Sequence, residues 1–340
     1  MSKMKWTKKE QKQLIIFSLT AFGLPVLMGC LMGYSFYQGN DVSVFANAHM
    51  FYPASGVMLA LISTREKGQK LPLKFYFGFL ISGIVMIGSC LASIFIPEYP
   101  WALLCQYPII ISSIICLILL FLEKKEVRAA YGLKFTGRKK AKSWWYVLLF
   151  FILYLSRLVI ACAIEGQMEG LAAIVTDPLT YTTLFTLLVL FFLTYTAFFG
   201  EEYGWRYFFQ PLLQKRFGPK GGVILLGILW GLWHLPLNIF FYSPDTWVAS
   251  VILQVINCIG FAIFFGYGYM KTGNIWVAVM MHYINNNMIA VISGVEAVSN
   301  QVIRWADIPL SILLNLVFMV FIFSKVYKKE SPAASDSVSN

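Results

Sequence analysis

"TYTTLFTLLVLFFLTYTAFFGEEYGWRYFF", residues 180–209, runs uncharged through Gly200 and then sets two adjacent glutamates and an arginine among aromatic residues. About 20 consecutive apolar residues cross a bilayer as a helix, since only a helix or a closed barrel satisfies its own backbone groups in lipid. The stretch therefore predicts a transmembrane helix over 180–200 with Glu201, Glu202 and Arg206 at its end. The same pattern recurs on both sides of it. Further apolar runs lie at 13–37, 44–63, 74–97, 101–122, 144–164, 221–242, 247–270, 275–294 and 308–326. With 340 residues, 59% of them apolar and 13% charged, the expectation is an all-α, polytopic helical membrane protein of about ten (eight to ten) transmembrane helices.

Charge gives the orientation. All 27 lysines and arginines except Arg157, Arg206 and Arg304 fall in the N-terminal stretch to Lys12, the 65–74 loop, the 124–142 loop, the 215–220 turn, Lys271 and the tail from Lys325. Ten spans place these on one face, which the positive-inside rule makes cytoplasmic, with both termini there. The opposite loops carry Asp41, Glu98, Glu165, Glu169, Asp177, Asp245, Glu296, Asp307 and Arg304. A net charge of +11 is thus accounted for by topology and contact with membrane lipids, and nucleic acid is not an expected partner.

The six cysteines lie inside the predicted spans without CxxC spacing and read as small apolar residues. The basic N-terminus lacks a cleavage site and reads as the first span, not a signal peptide. No repeat period and no GxxxxGK(S/T) phosphate loop is present, which argues against an ATP-driven pump. The expected organisation is accessory helices over 1–122, a basic cytoplasmic linker on the membrane surface over 123–143, a second membrane domain over 144–328 with its polar core in 180–295, and a disordered tail over 329–340.

Ionisable residues within spans are costly in lipid and mark function by default. Here they are Arg157, Glu201, Glu202, Arg206, His234 and His282, with Asn238, Gln254, Asn257 and Asn285 to Asn287 adding neutral polarity. Glu202 and Arg206 are four apart, so they share a helix face and form an ion pair, while Glu201 is rotated about 100° away and stays free. His282 and Asn286 share a face by the same rule, as do Trp230 and His234. Pro236 is expected to kink the helix beside His234. His49 reads as interfacial. Arg157 reads as paired within the protein, or as binding a lipid phosphate, a partner carboxylate or a substrate C-terminus.

One free carboxylate, two imidazoles and a carboxamide suit amide hydrolysis. The carboxylate, assisted by a neutral histidine, takes a proton from water and later passes it to the leaving amine. The second histidine and the asparagine donate hydrogen bonds to the tetrahedral oxyanion. The same histidines and glutamates are plausible zinc ligands, but the HExxH helix is absent and Glu202 is taken by Arg206. No metal or other cofactor is the expectation, with zinc the lesser alternative.

EEYGWR at 201–206 fits an EExxxR motif, WGLWH at 230–234 resembles an FxxxH motif with Trp230 in the phenylalanine position, and HYINN at 282–286 fits HxxxN. In that order, on separate apolar spans, they resemble the CPBP family of intramembrane glutamic endopeptidases, which includes CAAX prenyl proteases and bacterial Abi proteins. The resemblance covers about 180–295. It implies that Glu201 and His234 activate water, that His282 and Asn286 form the oxyanion pocket, and that Glu202, Arg206 and Trp230 support them. It further implies a multi-pass protein of the cell membrane, cutting a membrane-associated or lipid-modified peptide near the cytoplasmic face, in peptide or bacteriocin maturation or self-immunity. The alternative is a non-catalytic scaffold or bacteriocin-immunity protein that binds a peptide in the same pocket. Nothing in the sequence fixes the oligomeric state.

Overall fold

A computed structural model describes residues 5–137 and 143–328. Thr7 opens the first helix with a capping box, its hydroxyl accepting from the Glu10 N–H while the Glu10 carboxylate accepts from the Thr7 N–H. That helix, α1 (Lys8–Ser18), passes through a π-helical stretch, Leu19–Gly23, into α2 (Leu24–Tyr37). Next come α3 (Ser43–His49), α4 (Tyr52–Ser63), α5 (Leu73–Phe95), α6 (Trp101–Leu104), α7 (Gln106–Leu122) and the short α8 (Lys125–Ala130). The second half holds α9 (Trp145–Glu165), α10 (Met168–Thr176), α11 (Pro178–Glu202), α12 (Gln210–Trp233), α13 (Leu235–Leu237), α14 (Trp247–Thr272), α15 (Ile275–Ser293) and α16 (Asp307–Met319). Glycines in the left-handed region at 166 and 273 end α9 and α14, and Asp177 and Asn274 cap the starts of α11 and α15.

The all-α membrane fold is as the sequence predicted. Among the described residues, eight helical segments are long and apolar enough to cross a membrane, and no strand occurs. Two of the predicted spans, 180–200 and 221–242, fall within one of them, Pro178–Tyr242, and the last predicted span is the shorter apolar helix Asp307–Phe323. The tail over 329–340 lies outside the described residues.

Three differences matter for the site. First, the helix carrying the glutamates does not end at Gly200. It continues through π-helical Tyr203–Phe209 into α12 and breaks only at Gly218, whose φ of 79° and ψ of 164° precede Pro219. Glu201 and Glu202 are therefore in mid-helix, immediately before a π-helical segment of the kind that often marks functional positions. The reason is packing: the face from Tyr195 to Glu202 is buried, which outweighs the cost of carrying charge. Second, residues 131–135 of the expected surface linker reach inward, while 138–142 of it lie outside the described residues. Leu133 is buried, its carbonyl accepts from the Trp276 indole at 3.4 Å, Phe135 stacks on Trp276 at 4.6 Å, and the Tyr131 carbonyl accepts from Tyr203 Oη at 3.0 Å. Hydrophobic residues spaced irregularly between lysines gave no periodic signal for this. Third, α10 is a short helix between two spans that had no counterpart in the reading of the sequence.

The N-terminal helices share one hydrophobic core with the rest. Gly200 and Gly204, one turn apart, let α11 and its π-helical extension lie against the backbone of Met50 and Phe51 and against Pro53; a Cβ at either glycine would collide there. Pro25 has no N–H to donate to the Ala21 carbonyl, and that carbonyl instead accepts from the Trp233 indole at 2.7 Å. Tyr76 and Tyr203 join hydroxyls at 2.7 Å, as do Ser113 and Thr196. At one end of the bundle Glu10 pairs with Lys215 at 2.7 Å and Lys9 with Glu66 at 2.6 Å, so the N-terminus, the 65–74 loop and the 215–220 turn meet there.

Candidate active site

Three segments bring their polar side chains to one buried cluster: the end of α11, the end of α12 and the middle of α15. Glu201, Glu202, Arg206, His234 and His282 are all buried. The four-residue spacing holds Arg206 Nε 3.1 Å from Glu202 Oε2, as the sequence predicted. The other oxygen, Glu202 Oε1, accepts from His282 Nδ1 at 2.8 Å, a contact across 80 residues that no spacing rule contains. Glu202 thus stands between a guanidinium and an imidazole, hydrogen-bonded through Oε1 and ion-paired without a hydrogen bond through Oε2. Arg206 completes its environment with aromatic faces: its Cζ lies 4.5 Å from the Trp230 ring centroid and 5.3 Å from that of Phe265. Its Nε, Nη1 and Nη2 have no hydrogen-bond partner among the described residues, so its tie to Glu202 is an ion pair.

Glu201 is held differently. Its Oε2 accepts from the Trp230 indole at 2.7 Å and from the Trp205 indole at 3.2 Å, and its Oε1 lies 4.0 Å from His282 Nε2. Neutral donors fix the carboxylate without supplying a countercharge. Trp230 is accordingly more than a larger version of phenylalanine, because a phenyl ring has no N–H to give Glu201. Trp205 was not anticipated at all; the signal was its position four residues after Glu201.

His234 sits where the helix breaks. α12 ends at Trp233, His234 is its C-cap, and α13 resumes at Leu235 with Pro236 in its first turn. The His234 N–H turns to the Gly231 carbonyl at 3.2 Å, and the Trp230 carbonyl bonds His234 Nδ1 at 2.8 Å. A carbonyl only accepts, so Nδ1 carries the proton and a neutral His234 keeps a bare Nε2. Its tie to Glu201 runs through Trp230, whose carbonyl holds the imidazole and whose indole holds the carboxylate. Asn238 closes the break by donating from Nδ2 to the His234 carbonyl at 2.9 Å and accepting from Ser250 Oγ at 2.5 Å.

Asn286 is not drawn into this cluster. It is exposed, one turn beyond His282 on α15, and its Oδ1 accepts from Asn285 Nδ2 at 3.0 Å. Asn257 bonds Asn315 Nδ2 at 2.7 Å, tying α14 to α16 as interhelical asparagines do. Arg157 lies 5.8 Å over the Phe261 ring, with a buried Nη1 that has no hydrogen-bond partner among the described residues. His49 corrects the sequence reading: it is buried, not interfacial, with its ring 3.8 Å from Trp233 and 6.5 Å from His234. Among the described residues no group of three or more His, Cys, Asp or Glu side chains is arranged to hold a metal ion.

Residues 182–288 match a family model described as "Type II CAAX prenyl endopeptidase Rce1-like". No curated protein and no solved structure matches the chain. The segment similar to that family carries the three motifs and contains Glu201, His234, His282 and Asn286. The match points to a protease, and with the apolar helices it suggests CAAX-type activity in an integral membrane protein.

Proposed function

We propose that the chain is an intramembrane endopeptidase in which Glu201, with His234, activates the attacking water. Glu201 takes a proton from water, the hydroxide attacks the scissile carbonyl carbon, and the same proton passes to the amine as the C–N bond breaks. His282 and, one turn further along α15 at an exposed position, Asn286 through its Nδ2 stabilise the oxyanion between these steps. Glu202 and Arg206 hold His282, and Trp230 holds Glu201. The carrying observation is the buried Glu201 carboxylate, fixed by two indole N–H groups on one oxygen and left 4.0 Å from His282 on the other. A carboxylate placed in lipid without a cationic partner is costly unless a reaction uses it. Because Glu202 is paired with Arg206 and His282, the reading favours chemistry on water over a zinc-bound mechanism.

The substrate in this reading is a membrane-associated or lipid-modified peptide cut near the cytoplasmic face of the cell membrane, in peptide or bacteriocin maturation or self-immunity. The test is mass spectrometry of membrane peptides incubated with proteoliposomes of wild type and Glu201→Gln, each with and without a zinc chelator. Products made by wild type alone and indifferent to chelator are expected, and their new termini identify the cut. A folded Glu201→Gln protein that cleaves at the wild-type rate would refute the mechanism. Absence of cleavage by both would favour a binding or immunity role for the same pocket.

A further inference from the structure

Where α12 ends, two backbone carbonyls are each met by an imidazole. The Trp230 carbonyl bonds Nδ1 of His234, and the next free one, on Trp233, bonds Nε2 of His49 at 3.1 Å. His49 is the last residue of α3, far outside the segment that carries the three motifs. Its ring lies on the Trp233 indole with centroids 3.8 Å apart, and that indole donates to the Ala21 carbonyl at 2.7 Å. Trp233 also meets edge to face, at 5.3 Å, the Trp205 ring that donates to Glu201. The peptide joining Trp233 to His234 is therefore gripped by its carbonyl and by its tryptophan side chain, and both grips come from the N-terminal helices.

We propose that His49 is a positioning residue for His234: by donating from Nε2 to the Trp233 carbonyl it fixes the peptide that orients the His234 ring. A helix end preceding a proline has carbonyls that the helix itself cannot satisfy. If the Trp233 carbonyl lost its donor it would compete for another, and the nearest rearrangement turns the Trp233–His234 peptide and releases His234 Nδ1 from the Trp230 carbonyl. His234 would then lose its single tautomer and the constant direction of its bare Nε2. A buried histidine that only filled space would have no requirement for a proton on one particular nitrogen. His49 has that requirement, because its partner is a carbonyl. The activity part of this inference rests on the endopeptidase reading; the tautomer part does not.

The test is nitrogen-15 NMR of the full chain, labelled at histidine and held in lipid bilayers. The chain has three histidines, and single variants assign each signal. Wild type is expected to show His49 protonated on Nε2 and His234 on Nδ1. Removing the donor in His49→Leu is expected to give mixed tautomers at His234 and a kcat lower by roughly ten- to a hundred-fold with KM little changed, the scale of a misplaced catalytic group. His49→Gln, whose side-chain amide can still donate, is expected to restore the single His234 tautomer and most of kcat. His49→Phe keeps a ring on Trp233 without the donor and substitutes for His49→Leu if that variant fails to fold. A wild-type His49 protonated on Nδ1, or a donor-less variant with an unchanged His234 signal and kcat, would overturn the inference. If wild type cleaves no peptide, the endopeptidase reading fails while the spectra still decide the role of His49.

Discussion

Glu201 and Glu202 are neighbours in sequence with opposite assignments, and the difference lies in which donors reach them. Glu202 is bound by Arg206 and His282, so removing Arg206 leaves a buried charge without its partner. Arg206→Met is expected to cost about 3–5 kcal/mol of stability, measured as a lower midpoint of unfolding in detergent and as poor accumulation in membranes. Glu201 is bound only by indoles, and Glu201→Gln keeps the size of the side chain while removing the base. Cleavage is expected to fall by roughly 10²- to 10⁴-fold with the unfolding midpoint near wild type. Trp230→Phe separates ring from donor: it leaves an aromatic face for Arg206 and takes the 2.7 Å hydrogen bond from Glu201. A hydrogen bond to a charged group contributes about 1.5–3 kcal/mol, so a loss of at least about ten-fold in kcat/KM is expected. Rates equal to wild type would show that the Trp205 indole alone holds the carboxylate.

Helix pairs explain how these side chains are delivered. Gly200 and Gly204 flank the glutamates on α11 and its extension, and Gly227 and Gly231 precede His234 on α12, where a Cβ would meet the α14 backbone at Ile259 and Val255. Both motif-bearing helices thus approach their neighbours backbone to backbone, which fixes their height and rotation more tightly than larger side chains would. Gly204→Ala is expected to destabilise by about 1–3 kcal/mol through overpacking against Pro53, read from thermal unfolding, and to lower cleavage as α11 shifts. Gly218 belongs to a different class. Its backbone conformation is open to glycine almost alone, so Gly218→Ala is expected to cost about 1–3 kcal/mol at the turn between the two motif helices. The spacing of the glycine pairs was visible in "GEEYG" and "GILWG", but which helix each pair would meet was not.

At the scale of the whole molecule, the first four predicted spans are woven into the part that carries the motifs. The Ala21 carbonyl, His49, the Met50–Pro53 backbone, Tyr76 and Ser113 all touch the motif helices or their immediate supports. A chain lacking residues 1–122 is expected to lose cleavage entirely and to be degraded when expressed. Supplying 1–122 as a separate polypeptide is expected to restore part of both, as measured by co-expression and assay of membranes. Full activity from the shortened chain alone would return these helices to an accessory role.

The sequence by itself determined the all-α membrane fold, because long uncharged runs have no other way to satisfy their backbone in lipid. It also determined the Glu202–Arg206 pair, since contacts four residues apart are set by the helix repeat. Only the tertiary structure decided that His282 bonds Glu202, that Trp205 and Trp230 hold Glu201, that His49 lies beside His234, and that residues 131–135 fold inward. Each of these depends on which helices are neighbours and at what height. That is decided by side-chain packing summed over the whole core, and no local period in the sequence records it.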